Sequence, residues 1–218
     1  MKILVGDLLI WVIALLVPQI VQAQEVVYLS NLGQPSVFFG LGVRSDEWQS
    51  AGFNTGSNPG GYALNSIQLA MNNARGTPSG SFTVMLYTSF ESDPGFGIPG
   101  SWLGSLDGSS DPSTSGIYAY TTAADLTLLP NTRYFIVLTC EVNDFYEWEY
   151  SNTNFYNPSD SWRVTSSYWS FDGSSWGRNT GSFPQFAINA TAIPEPSTIA
   201  LLVVSTPLLR LRRHGRIV

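Results

Sequence analysis

Ser81-Phe82-Thr83-Val84-Met85-Leu86-Tyr87-Thr88 alternates without a break: Phe82, Val84 and Leu86 fall on one side, Thr83, Met85 and Tyr87 on the other. Successive side chains of an extended chain point to opposite faces, so a period of two marks a strand. A helix would need apolar residues every three or four positions, and nothing between Gln24 and Ile193 sustains that spacing. The strand reading therefore extends outward in both directions.

Downstream, Gly116 to Thr122 alternates again, and Leu126 to Leu129 leads into a Pro130-Asn131 turn. Thr132 to Cys140 is the most apolar run and is expected at the centre of a sheet. Upstream, Tyr62 to Met71 alternates, Glu25 to Asn31 opens the series, and Val37 to Leu41 and Glu47 to Phe53 are weaker strands. Ser89 to Gly100, with Asp93-Pro94-Gly95 and Pro99-Gly100, reads as the most loop-like portion, followed by a short strand from Ser101 to Leu106. Phe145 to Ser151, Ser161 to Phe171 and Pro184 to Ala190 complete the set, with Asp172-Gly173 as a two-residue hairpin turn. About ten short strands between Gly, Pro, Asn and Ser clusters predict an all-β fold: a single two-sheet β-sandwich, jelly-roll-like.

Both ends differ from this middle. Lys2 precedes an apolar run from Leu8 to Val17, and Val21-Gln22-Ala23 offers a cleavage site. Residues 1–23 are thus expected to be a signal peptide cut after Ala23, too short in its apolar part to span a bilayer comfortably. At the far end, Ile193-Pro194-Glu195-Pro196-Ser197-Thr198 leads to an apolar run from Ile199 to Leu209 and then to Arg210, Arg212, Arg213 and Arg216. Two prolines without N–H donors keep that segment extended. Between the ends, residues 24–192 are long enough for one domain with its own core.

The order Pro-Glu-Pro-Ser-Thr, apolar segment, arginine cluster resembles the PEP-CTERM sorting signal. The resemblance implies recognition by an exosortase-type membrane protease in a Gram-negative bacterium that makes exopolysaccharide. It also implies transient membrane binding through residues 199–209, processing near Pro194, Glu195 and Pro196, and release to the cell surface or exterior. Residues 193–218 would be that sorting tail, with Ser197 and Thr198 completing the motif. The middle of the chain resembles the exported domains known as choice-of-anchor R, through Asn31-Leu32-Gly33-Gln34, Tyr62-Ala63-Leu64-Asn65-Ser66-Ile67, Val84-Met85-Leu86-Tyr87, Leu128-Leu129-Pro130-Asn131-Thr132-Arg133-Tyr134 and Gly181 to Ala190. That resemblance implies an exported surface location and carries no catalytic residues.

Charge narrows the partners. Between the ends there are five arginines, no lysine and fourteen acids, a formal charge near −9. Such a surface argues against nucleic acid and against anionic lipid, and leaves neutral polymers or cations. Chemistry is scarce. Cys140 is the only cysteine and the only histidine, His214, lies in the tail, so Ser–His and Cys–His nucleophiles and His/Cys zinc sites all fail. Cys140 reads as a buried thiol inside its apolar strand.

Paired carboxylates remain. Glu147 and Glu149 are two apart on one strand face, with Glu141, Asp144 or Asp160 as partners, and a glycosidase would need two such groups facing across a cleft. Turn acids Glu91, Asp93, Asp107 and Asp111 offer hard oxygen ligands for a structural calcium ion, though without an EF-hand spacing, and explain themselves equally as turn formers. The stronger signal is aromatic. Tyr146, Trp148, Tyr150, Trp162, Trp169 and Trp176 crowd into one stretch, where exposed rings would stack on the apolar faces of sugars. The same residues would serve as packing between sheets. The expectation is thus a non-enzymatic exported β protein associated with extracellular polysaccharide; the alternative is a secreted glycosidase-like enzyme.

Overall fold

A computed structural model describes residues 26–37, 39–74, 82–93, 96–108, 111–122 and 125–195. The signal peptide, its cut after Ala23, the residues Pro196, Ser197, Thr198, Arg210, Arg212 and Arg213, and the apolar segment 199–209 lie outside these. Among the described residues the chain is all-β, and no helix is long and apolar enough to cross a membrane.

The strands, in chain order, are β1 (Val26–Ser30), β2 (Leu41–Val43), β3 (Trp48–Asn54), β4 (Tyr62–Met71), β5 (Thr83–Asp93), β6 (Phe96–Gly108), β7 (Gly116–Thr122) and β8 (Thr127–Leu128). There follow β9 (Arg133–Thr139), β10 (Tyr146–Trp148), β11 (Tyr150–Ser151), β12 (Asn157–Pro158), β13 (Arg163–Ser170), β14 (Gly177–Asn179), β15 (Phe183–Pro184) and β16 (Phe186–Ala192). One antiparallel sheet runs β12-β1-β16-β4-β7-β6-β5-β9-β3-β13-β14, with β10 bonded to β2 and β4, and β8 to β4; β11 and β15 form a separate ribbon.

The sheet curls on itself. Leu29, Ile67, Leu69, Phe186 and Ile188 from one half share a buried cluster with Phe53, Val84, Leu86, Ile136 and Leu138 from the other. The alternation of the opening stretch sets this up: Val84 and Leu86 enter the core while Met85 and Tyr87 turn outward. The halves stay hydrogen-bonded because β6 is long. It pairs with β5 over most of its length, and its last residues, Leu106 to Gly108, reach Thr122 to Tyr120 of β7.

The 89–100 region corrects the sequence reading. It is no loop: β5 continues to Asp93 and β6 begins at Phe96, so the pair forms a long ribbon in which Pro99 lies opposite Ser89. Proline is tolerated there because β6 has only β5 as a neighbour at that level, and an edge position needs no second ladder bond.

The outward face of the second half carries its own small cluster. Met85, Phe135, Val137 and Tyr168 are buried there under Trp48, Tyr87, Ile98 and Trp176. At the chain's start, the buried Asn31 is bound to the closing strands: its Nδ2 donates to Pro184 O (2.9 Å) and its Oδ1 accepts from Phe186 N (2.7 Å). At the other end Ile193 N donates to Gly61 O (3.0 Å) and Asn58 Nδ2 donates to Ile193 O (3.0 Å), after which Pro194 and Glu195 are exposed.

Cys140 is the buried thiol expected. Its Sγ lies 3.4 Å from Val43 O and from Asp144 O, and burial, helped by Asp144 and Asp46, pushes the thiol up to about 12 from 9.0. The raised value means the folded state holds the proton more tightly than the unfolded chain. The thiol's contribution is therefore complete below pH 9 and is lost as pH rises toward about 12. A thiol reagent at pH 8 is expected to label Cys140 only in denaturant, and Cys140→Ala should flatten the alkaline fall of the urea midpoint. Rapid native labelling would refute this.

Candidate functional site

The six aromatic residues separate into two groups. Trp148 and Tyr146 are 0% exposed and Trp162 is 1%. These three cannot stack on a ligand, which corrects the sequence reading for them. Trp148 sits opposite Met71 of β4 and donates its indole N–H to Gln185 O (2.9 Å). Tyr146 packs on Phe82 with ring centres 4.9 Å apart. Trp162 stacks between Tyr28 and Phe53 (5.3 and 5.9 Å) with Tyr62 edge-on at 4.9 Å. A curled sheet needs large side chains to fill the space between its halves, and these rings fill it.

Trp169, Trp176 and Tyr150 are only half-buried; Trp169 shares one cavity with Tyr150 and another with Trp176. An open groove of about 470 Å³ is lined by Tyr150 and Trp169 together with Phe39, Leu41, Phe171, Glu47, Gln49 and Asn179. A second cavity of about 300 Å³ is lined by Trp169 and Phe171 again, with Asp172 and Trp176. Phe39 is 60% exposed and Phe171 67%. With half-buried Trp169 and Tyr150 they make an exposed apolar lining.

Local sequence explains how the rings are held. Trp169 faces Gly177 across the β13–β14 pair, and a Cβ at that glycine would lie 2.7–2.9 Å from atoms of the indole. Only glycine leaves room for the ring. Phe171 meets Trp169 edge to face at 4.7 Å, a favourable aromatic geometry. The Asp172-Gly173 hairpin reading is corrected here: the connection runs from Phe171 to Trp176, because Asp172 folds it. Asp172 Oδ1 accepts from Ser174 N (2.8 Å), Ser175 N (2.7 Å) and Ser170 Oγ (3.0 Å), while Gly173 supplies φ +70°. These bonds, the two backbone N–H groups first, hold the Asp172 carboxyl well below the usual carboxylate range. The groove floor is an amide relay: Asn179 Nδ2 donates to Gln49 Oε1 (3.1 Å), and Gln49 Nε2 donates to Gly42 O (3.0 Å).

The carboxylates proposed for catalysis are scattered. Glu147 is buried beside Gly40, whose Cβ would lie 2.7 Å from its own, so its face of the strand is covered rather than open to a cleft. Glu149 Oε2 accepts from Ser36 Oγ (2.6 Å), itself bonded by Gln185 Nε2 (2.8 Å), and so pins the segment before β2. Asp160 accepts from Tyr62 Oη and, at 3.3 Å, from Ser57 Oγ. Asp144 is buried and lines a third cavity of about 400 Å³ with Arg44 and Phe145; Glu141 is exposed. Neither Glu147 nor Glu149 lines any of the three cavities.

The calcium candidates are also apart. Glu91 lies at the tip of the long ribbon, opposite Gly97 and 3.4 Å from Arg133, whereas Asp107 is at the other end of β6. Ten residues of strand separate those levels by about 30 Å, too far for one ion. Asp111 follows Asp107, and among the described residues no three acidic, cysteine or histidine side chains converge as metal ligands.

Phe39, Leu41, Phe171, Glu47, Gln49 and Asn179 had no individual signal in the sequence; only the aromatic density near Trp169 pointed to the place. Compared with known proteins, the chain matches no family model, no curated protein and no solved structure.

Proposed function

We propose that this chain is an exported, non-enzymatic surface or extracellular-matrix protein that holds polysaccharide in the groove around Trp169. In this reading residues 24–192 are one two-sheet β-sandwich of jelly-roll type. Residues 193–218 are a sorting tail, processed by an exosortase-type membrane protease at Pro194-Glu195-Pro196, with Arg210, Arg212 and Arg213 as its cytoplasmic end.

The observation that carries the binding role is the open groove itself: half-buried Trp169 and Tyr150 beside exposed Phe39 and Phe171, next to the amides of Gln49 and Asn179. Flat rings take up the apolar faces of sugars at low entropic cost, and nearby amides and carboxylates serve their hydroxyls. The scattered carboxylates, with Glu147 covered, make a hydrolytic role the poorer fit.

Two measurements test the two halves. Retarded migration of the full-length protein in native gels cast with bacterial exopolysaccharide is expected; unchanged mobility across such polymers would remove the binding role. Mass spectrometry of the chain recovered from outside the cell should find a C-terminus near Pro194 to Pro196. Recovery of the chain ending at Val218 would remove the sorting role.

A further inference from the structure

We infer that the groove selects a polysaccharide chain without acidic groups, long enough to lie across both cavities that share Trp169 and Phe171. The inference rests on the glycan reading above and adds the class of ligand.

Length follows from the layout. The cavities of about 470 and 300 Å³ are not independent, since Trp169 and Phe171 line both. The pair belongs to both linings, with Tyr150, Phe39 and Leu41 in the larger cavity and Trp176 in the smaller. A single sugar occupies one cavity and meets part of the aromatic set. A chain spanning both cavities meets all of it, and its second contact comes without a second loss of translational freedom.

Charge follows from the lining. Each cavity contributes one carboxylate, Glu47 in the larger and Asp172 in the smaller, and neither is lined by a lysine or arginine. The hydrogen bonds to Asp172 from Ser170, Ser174 and Ser175 all end on Oδ1, which fixes the group while it remains exposed to solvent. Arg44 is bridged to Glu47 through the backbone and Arg178 sits opposite Tyr168 in the ladder, but neither lines either cavity. Uronic or sulfated sugars laid across both cavities would thus meet two like charges and no cation among the lining residues, against a domain that is strongly acidic overall. Sugar hydroxyls or amines would meet acceptors.

The test uses the full-length protein and calorimetric titration with three sets of probes: neutral glucan oligomers from one to six units, chitosan oligomers, and oligogalacturonates. Expected are a gain of about tenfold from monomer to hexamer in the neutral or amino series and an acidic hexamer at least about tenfold weaker. Glu47→Gln and, separately, Asp172→Asn should narrow that gap several-fold by relieving the repulsion of the acidic hexamer. Asparagine keeps the Oδ1 acceptor, so the loop should survive; Glu47→Gln keeps the test open if it does not. Tightest binding by oligogalacturonate, or a monomer that binds as well as the hexamer, overturns the inference and leaves the glycan reading standing. Failure of every oligomer to bind, with Trp169→Ala indistinguishable from the parent, removes both.

Discussion

Trp162→Ala is expected to lower the free energy of unfolding by about 3–5 kcal/mol. The indole is 1% exposed and lies in contact with three other rings, Tyr28, Phe53 and Tyr62. These come from β1, β3 and β4, so the truncation opens a cavity where both halves of the curled sheet meet. A backbone held by ladders on several sides cannot collapse into that space, which puts the loss at the upper end for a large-to-small change. Against a typical total of about 5–15 kcal/mol, the variant would be marginal at 37 °C. Trp162→Phe is the informative control. The indole N–H has no hydrogen-bond partner among the described groups, so phenylalanine removes an unsatisfied donor along with part of the ring. Its loss should be less than half that of alanine. The check is the urea midpoint at constant slope; a midpoint unchanged in Trp162→Ala would mean this ring is not part of the core.

Trp169→Ala should behave in the opposite way. It is expected to weaken binding of the preferred polysaccharide by about 30-fold or more, the effect of removing a central aromatic anchor. Its effect on stability should stay within about 1 kcal/mol, because the ring is half-exposed and packs on the surface of Gly177 and the edge of Phe171. Gly177→Val tests the same ring without removing it. A side chain at that position must displace the indole, so binding should fall while the tryptophan is still present. Affinity and urea midpoint measured on both variants check the pair. Loss of folding in Trp169→Ala together with loss of binding would place Trp169 with Trp162 as a core residue.

The contrast between these two tryptophans shows how far local pattern reaches. Both sit in aromatic-rich runs with strand character, and nothing in either run distinguishes them. Trp162 is enclosed because three strands converge on it, whereas Trp169 lies at the β13–β14 margin, where the sheet ends. Glu147 makes the same point for a polar residue. Alternation puts it on the face away from Tyr146 and Trp148, but Gly40 covers that face, and all three residues of β10 are buried. The 89–100 segment shows the converse. Its Pro and Gly residues are local breakers, and a partner strand overrides them by supplying the ladder on one side.

Period-two alternation was enough to establish strands at Tyr62–Met71 and Gly116–Thr122 with the bounds they have, and an all-β class, because the covalent chain itself imposes that period. The apolar run at 132–140 likewise announced a strand buried on both faces and a buried thiol at its end. What only the tertiary structure decided was which rings are enclosed and which line the groove, and that Glu47, Gln49, Asn179 and Phe39 stand beside Trp169 at all. Those neighbours come from distant parts of the chain, and it is the curl of the sheet and the position of its edge, both non-local, that bring them together.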